Sequence, residues 1–337
     1  MTGFDEARYI TLMSGAVDQA GEIGKAVSGA VSDGCDTVMF LGTGGAGYLM
    51  EPARQLLARQ STIAAVRESP AEIVLTGSTR LGPRTLVVLP SLSGTTDETQ
   101  AALAAARAAG ARTLALTGAA DSPVAKGADH VFVNPAADDT SSESFYIQSL
   151  SVALSAMQAN GDVPDSDDIR AEMPALPAAL LDAKRAFAAD AAEIARTIAG
   201  SDWHIFTGAG PVWFEALYFA TCILEEMQWI RTRPVHASDF FHGTLELVET
   251  GVSVVVLAGE DSCRPLAQRV ADFVPRHGGS LTFVDTATQT LPGLSPRLRE
   301  LMGPAVLAAM LQCVAEELAG RRDHPLTTRR YYRRVAY

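Results

Sequence analysis

The sequence is poor in the residues that staple or metallate a fold. Its four cysteines, Cys35, Cys222, Cys263 and Cys313, lie far apart and form no C-x-x-C pair. That argues against a zinc site and a disulfide framework alike; each reads as a small buried apolar residue in a reducing compartment. Positive charge is scarce too, with 27 Lys and Arg against 39 Asp and Glu, a net charge of −12. A broad nucleic-acid surface is therefore not expected. The six histidines show no ligand spacing of the H-x-x-x-H kind, so no metal is expected. The N-terminal MTGFDEARY carries early acid and no apolar signal-like region. No run is read as approaching the roughly 20 apolar residues of a bilayer span. The loop Gly42-Thr43-Gly44-Gly45-Ala46-Gly47 breaks the register of the dinucleotide fingerprint at Ala46–Gly47, and no acid follows the second strand as ribose recognition would require. These absences leave a soluble, cytoplasmic protein with no cofactor, no membrane and no nucleic-acid partner.

What is present is a repeated α/β pattern. The 337 residues, 47% apolar and 20% charged, suit two α/β units better than one core. Residues 7–32 read as one lead-in helix. Apolar runs at 36–42, 61–66, 84–90, 111–118 and 130–135 read as strands, separated by helical stretches; a helix after Glu143 closes this half near Ala159. The polar stretch 160–168 reads as a linker. The pattern then restarts at 202–211. Val235 lies 169 positions after Val66, Leu257 168 after Leu89, and Thr286 169 after Thr117. Nearly constant offsets predict two superposable doubly wound parallel sheets of the flavodoxin-like kind. The predicted domains are 1–160, 161–320 and a basic tail, 321–337.

The halves differ after the third strand. The first has Ser91, Ser93, Thr95 and Thr96; the second has Gly259, Glu260, Asp261 and Ser262. Hydroxyls before a helix N-terminus either cap that helix or bind an oxyanion. Two carboxylates would repel one. A second candidate stretch runs from Cys222 to Leu247. Glu225 and Glu226 end an apolar helical run, and His242 stands between Phe241 and Gly243. A carboxylate and an imidazole in apolar sequence suit proton shuttling, or else form a surface pair and a backbone-satisfied histidine. His236, six residues earlier, reads as structural. The tail from Arg321 to Tyr337 holds six arginines and one aspartate. It is either a solvated charge run or a strap that supplies Arg330 or Arg333 to a phosphate or carboxylate.

Together these segments resemble the sugar isomerase (SIS) family of phosphosugar-handling proteins. SLSGTTDET is similar to that family's S-x-S-G-x-T-x-[DE]-T phosphate loop. FFHGTLELVE is similar to its histidine segment, most closely in the fructosamine-6-phosphate deglycases and more distantly in the isomerase half of glucosamine-6-phosphate synthase. LEEMQW and the tail motif H-x-x-x-x-R-R-Y-Y resemble the deglycases as well, and this alignment selects Glu226 over Glu225. Departures are Gly44 and Gly45 where the synthase has a serine, Thr244 for a proline, and Glu143 for a lysine. The resemblance implies two tandem SIS-type domains and a phosphate held by Ser91, Ser93, Thr95 and Thr96 with Gly44 and Gly45. It implies substrate contacts from Thr43, Ser141, Glu143, Arg330 and Arg333. Glu226 would be the general base and His242 an acid–base partner. It further implies a homodimer whose catalytic groups meet at the subunit interface. The activity implied is deglycation of a 6-phosphorylated fructosamine. The alternatives are an aldose–ketose isomerase or deaminase of a hexosamine 6-phosphate, and a non-catalytic sugar-phosphate regulator.

Overall fold

In the computed structural model, which describes residues 4–162, 166–332 and 334–336, the chain forms two compact units. One comprises Glu6–Ala178 with Gly293–Leu298; the other comprises Met1–Asp5, Ala179–Pro292 and Arg299–Tyr337. The junction falls at Ala178 rather than in the polar stretch 160–168. Of that stretch 163–165 lie outside the described residues, and a helix is already under way at Ser166–Glu172.

The first unit holds five parallel strands, β1 (Thr37–Phe40), β2 (Ala64–Arg67), β3 (Thr85–Ser91), β4 (Arg112–Thr117) and β5 (His130–Val133), in the order β2-β1-β3-β4-β5. This is the flavodoxin-like order. Its helices are α1 (Glu6–Asp18), α2 (Ala20–Ser32), α3 (Gly44–Tyr48), α4 (Glu51–Gln60), α5 (Pro70–Thr76), α6 (Asp97–Ala108), α7 (Pro123–Gly127), α8 (Ser141–Ala159) and α9 (Ser166–Glu172). Central β3, TLVVLPS, is buried at every position, whereas edge strand β2 is buried at none. A parallel strand covered on both faces must be apolar throughout, and this is why TLVVLP reads as a run and not as an alternation. Met39, Val87, Leu89 and Ala115 pack against Ala102 and Leu103 of α6 on one face.

The lead-in helix is two helices. They part at Gln19, whose Nε2 donates to the carbonyl of Val133 at 2.6 Å while its Oε1 accepts from Gln148. A tertiary pull on one side chain interrupts a sequence that is locally a good helix. Strand β2 begins three residues later than expected.

The second unit repeats the order with four strands, β6 (Trp203–Gly208), β7 (Arg231–His236), β8 (Ser253–Ala258) and β9 (Ser280–Asp285), arranged β7-β6-β8-β9. No described counterpart of β5 follows β9; the chain passes through a short 3₁₀ turn, Thr286–Thr288, instead. Its helices are α10 (Leu176–Ala199, from Ala179 on), α11 (Trp213–Tyr218), α12 (Arg264–Arg276) and most of α13 (Pro296–Arg321). Helix α13 departs from the expectation that no run is long enough for a bilayer span. Its 26 residues are long and apolar enough to cross a bilayer, but 83% of its most apolar window is buried in the protein, as befits a core helix.

Candidate functional site

In the first unit the chain leaves β3 at Ser91 and enters α6 at Asp97 through the hydroxyl loop. Gly94 is the pivot. Its φ is +61°, and a Cβ there would stand 2.0 Å from Ser122 Oγ, so only glycine fits on both counts. Ser91 Oγ accepts from Gly94 N–H at 3.1 Å and lies 3.5 Å from Thr96 Oγ1. Ser93 Oγ accepts from the hydroxyl and N–H of Thr95, at 3.0 and 3.3 Å. Thr96 occupies the N-cap of α6 with extended backbone, yet its side chain makes no capping bond among the described residues. The hydroxyls thus turn on one another at the positive end of a 12-residue helix, an arrangement suited to an anion.

The glycine loop lies beyond β1. Gly42 and Gly47 pack backbone to backbone; a Cβ on Gly47 would stand 2.3 Å from the Gly42 carbonyl oxygen. Gly44 has φ +55°. Thr43 Oγ1 is buried with no hydrogen-bond partner among the described residues, which fits a hydroxyl that waits for a ligand. The other expected contacts face inward. Ser141 is buried at the start of α8, and Glu143 is 2% exposed and accepts from the Tyr9 hydroxyl at 3.1 Å.

The equivalent loop of the second unit carries its own anions. Both oxygens of Glu260 accept from Arg299, at 2.8 and 2.9 Å. Asp261 Oδ1 accepts from Cys263 N–H at 2.8 Å, and its carboxylate fills the space against Gly210 and Gly259. Burial pushes the Asp261 carboxyl up from its ordinary value. Two carboxylates placed in this loop oppose an anion by charge.

Also in the second unit, α11 runs into nine residues of π-helix, Phe219–Met227. The wider i→i+5 turns, a rare geometry that recurs at functional sites, carry the acid pair. The two glutamates part company here. Glu225 is exposed and accepts from the Thr232 hydroxyl at 2.6 Å, tying the helix to β7. Glu226 accepts from Arg329 Nε at 2.9 Å, in a pair whose side chains are 34% and 12% exposed. Trp229, at φ +56°, ends the segment in a left-handed conformation that costs energy for any residue but glycine. Its ring is met edge-on by His324 at 4.4 Å and covered by the guanidinium of Arg330 at 4.0 Å. The tail therefore folds back over the end of the Glu226 helix. Between them is a cleft of about 920 Å³ lined by Glu226, Trp229, Arg231, Arg329, Arg330 and Tyr331, among others. Burial, and then the neighbouring carboxylates, push the Cys222 thiol up to about 12, which disfavours the thiolate.

Of the residues expected here, Glu226 and Arg330 come together, and Arg333 lies outside the described residues. His242 does not join them. It is exposed, follows the 3₁₀ turn Asp239–Phe241, and lines no part of this cleft. His236 is held by Ser238 Oγ at 2.7 Å and packs edge-on to Trp213, a structural placement. Arg329 is not among the residues that the sequence singles out. Its only signal is the motif shared with Arg330, and a run of like charges has no period from which to choose one member.

Two doubly wound parallel sheets in one chain, the first followed by a hydroxyl loop at a helix N-terminus, place the protein among the tandem doubly wound α/β proteins. The chain belongs to the SIS domain family, which matches it over residues 34–159. It is 31% identical to the fructosamine deglycase FrlB of Bacillus subtilis, over 90% of this chain and 93% of that protein. It is 27% identical to the fructoselysine 6-phosphate deglycase of Escherichia coli, over 88% and 85% respectively. A crystal structure from Bacillus subtilis, provisionally described as a phosphosugar isomerase, superposes with a TM-score of 0.88 at 29% identity, covering 96% of this chain and all of that one. The protein is a phosphosugar-processing enzyme.

Proposed function

We propose that this enzyme is a deglycase that hydrolyses a 6-phosphorylated fructosamine to glucose 6-phosphate and a free amine. The observation that carries this reading is the likeness to two deglycases along 90% and 88% of the chain, an extent that takes in the Glu226 helix. A protein that merely held a sugar phosphate would need the hydroxyl loop but no acid in a cleft.

The roles follow from the chemistry of each group. Ser91, Ser93, Thr95 and Thr96, with the backbone of Gly44 and Gly45, hold the 6-phosphate; Thr43 and Ser141 belong to the same substrate site. Glu226 takes the proton from C1 of the open-chain ketoamine, giving the enaminol, and a proton returns at C2, which leaves a C1 imine. Water adds to C1, the C1–N bond breaks, and the amine departs with the proton. Each well-placed acid–base group contributes about 10²–10⁴-fold to such transfers. His242 serves the sugar oxygens and, being outside the Glu226 cleft of its own unit, serves as the group supplied to a second copy in a homodimer. Glu143 is proposed to set the polarity around the amine through Tyr9.

Incubation with fructoselysine 6-phosphate is expected to release glucose 6-phosphate, and Glu226→Gln to lose that release. Ammonia from glucosamine 6-phosphate, with no glucose 6-phosphate from the fructosamine, would assign a deaminase instead.

A further inference from the structure

The contact between Glu226 and Arg329 has a consequence for the base itself. Arg329 is the most enclosed of the arginines lining the cleft, with a side chain 12% exposed. One edge of its guanidinium is fixed by its own segment: Nη1 donates to the carbonyls of Leu326 at 2.5 Å and Thr328 at 3.1 Å. Its Nε is thereby aimed at Glu226 Oε1. The segment is anchored in turn where Gln228 Nε2 donates to the His324 carbonyl at 2.7 Å and where Arg330 covers Trp229.

We infer that Arg329 is a positioning residue for the proposed base, so that the tail is part of the active site and does more than cover it. This rests on the deglycase reading above. A guanidinium in charge-assisted contact favours the ionised carboxylate and fixes the plane in which it meets C1. A general base that takes a proton from carbon needs both: it must be unprotonated when substrate arrives, and it must not swing. The other titratable groups facing the cleft are Asp202, Glu225, Arg231, Arg330, Tyr331 and Tyr332. Glu225 is engaged with Thr232 and Arg330 covers Trp229; among the described residues, Arg329 is a cation in direct contact with Glu226 Oε1.

The test is the pH profile of kcat and KM for glucose 6-phosphate release by wild type, Arg329→Gln, Arg329→Lys and Glu226→Gln. Arg329→Gln is expected to lower kcat by up to about 100-fold, the scale on which misplacing a reacting group slows turnover, with KM nearly unchanged. Its acidic limb should move about one pH unit upward, the smaller end of the effect of a neighbouring cation on a carboxylate. Arg329→Lys keeps the charge without the planar fork, so its acidic limb should stay near wild type while kcat remains low. Unfolding of Arg329→Gln would be seen by circular dichroism, and the lysine variant then decides alone. A wild-type kcat in either folded variant, or a low kcat with an unmoved limb in Arg329→Gln, overturns the inference. Glu226→Gln with full activity would instead remove the base assignment on which it stands.

Discussion

His204 shows what a single buried ring does to the whole fold. It is fully buried, its Nδ1 lies 2.9 Å from Ser253 Oγ across β6 and β8, and burial lowers its pKa to about 4. Between that value and 6.5 the unfolded chain takes up a proton that the folded chain refuses. Stability is therefore complete above the upper value and falls as pH drops through the window, by about 3 kcal/mol at most. Urea unfolding at pH 7.5 and pH 4.5 should show that loss, and His204→Asn should flatten it. A second single position, Gly94, binds structure to function. Gly94→Ala forces a side chain onto Ser122 from a left-handed backbone, and should cost about 1–3 kcal/mol in thermal or chemical unfolding. The same substitution should weaken inorganic phosphate and sugar-phosphate binding, read by calorimetry, because the turn that gathers the four hydroxyls would open.

At the scale of elements, strands were the most legible parts of the chain. β3 and β8 are buried from end to end, so their apolar runs and their 168-residue offset, Thr85 to Ser253, carry the pairing of the two sheets. Helix ends were less so. Nothing in the residues around Gln19 marks a break, which comes from β5 and α8. Nor does the sequence of α8 announce a core helix, since it is rich in serine. The structure buries it by turning Ser151 and Ser155 back onto the carbonyls of Ile147 and Ser151, at 2.9 and 2.6 Å. The π-helical turns before Glu226 leave no mark in an apolar run either. In the tail the motif was visible, but the choice of Arg329 over its neighbours depends on backbone anchors at Leu326 and Thr328. Removal of residues 326–337 should leave a folded protein, with the circular dichroism spectrum and the sugar-phosphate affinity of the full chain, and should abolish release of glucose 6-phosphate. Unchanged turnover would reduce the segment to a solvated charge run.

At the scale of the molecule the unresolved partner of Glu226 is His242, which is exposed and lies off the cleft that Glu226 lines. An exposed imidazole gains a catalytic role only where something covers it. The resemblance to SIS enzymes supplies the candidate, a second copy of the same chain. Symmetry makes this testable without a structure of the assembly. Glu226→Gln and His242→Asn should each be inactive as a homodimer. When they are mixed under conditions that exchange subunits, half of the dimers become mixed, and each mixed dimer pairs one intact glutamate with one intact histidine. Recovery of about a quarter of wild-type turnover is then expected for a closed two-fold dimer. The mixed sample should behave as a dimer in sedimentation, and dilution below the dimerisation constant should abolish wild-type turnover. If each chain used its own glutamate and histidine, no pairing of the two variants would restore a complete site, and the mixture would stay as inactive as its parts.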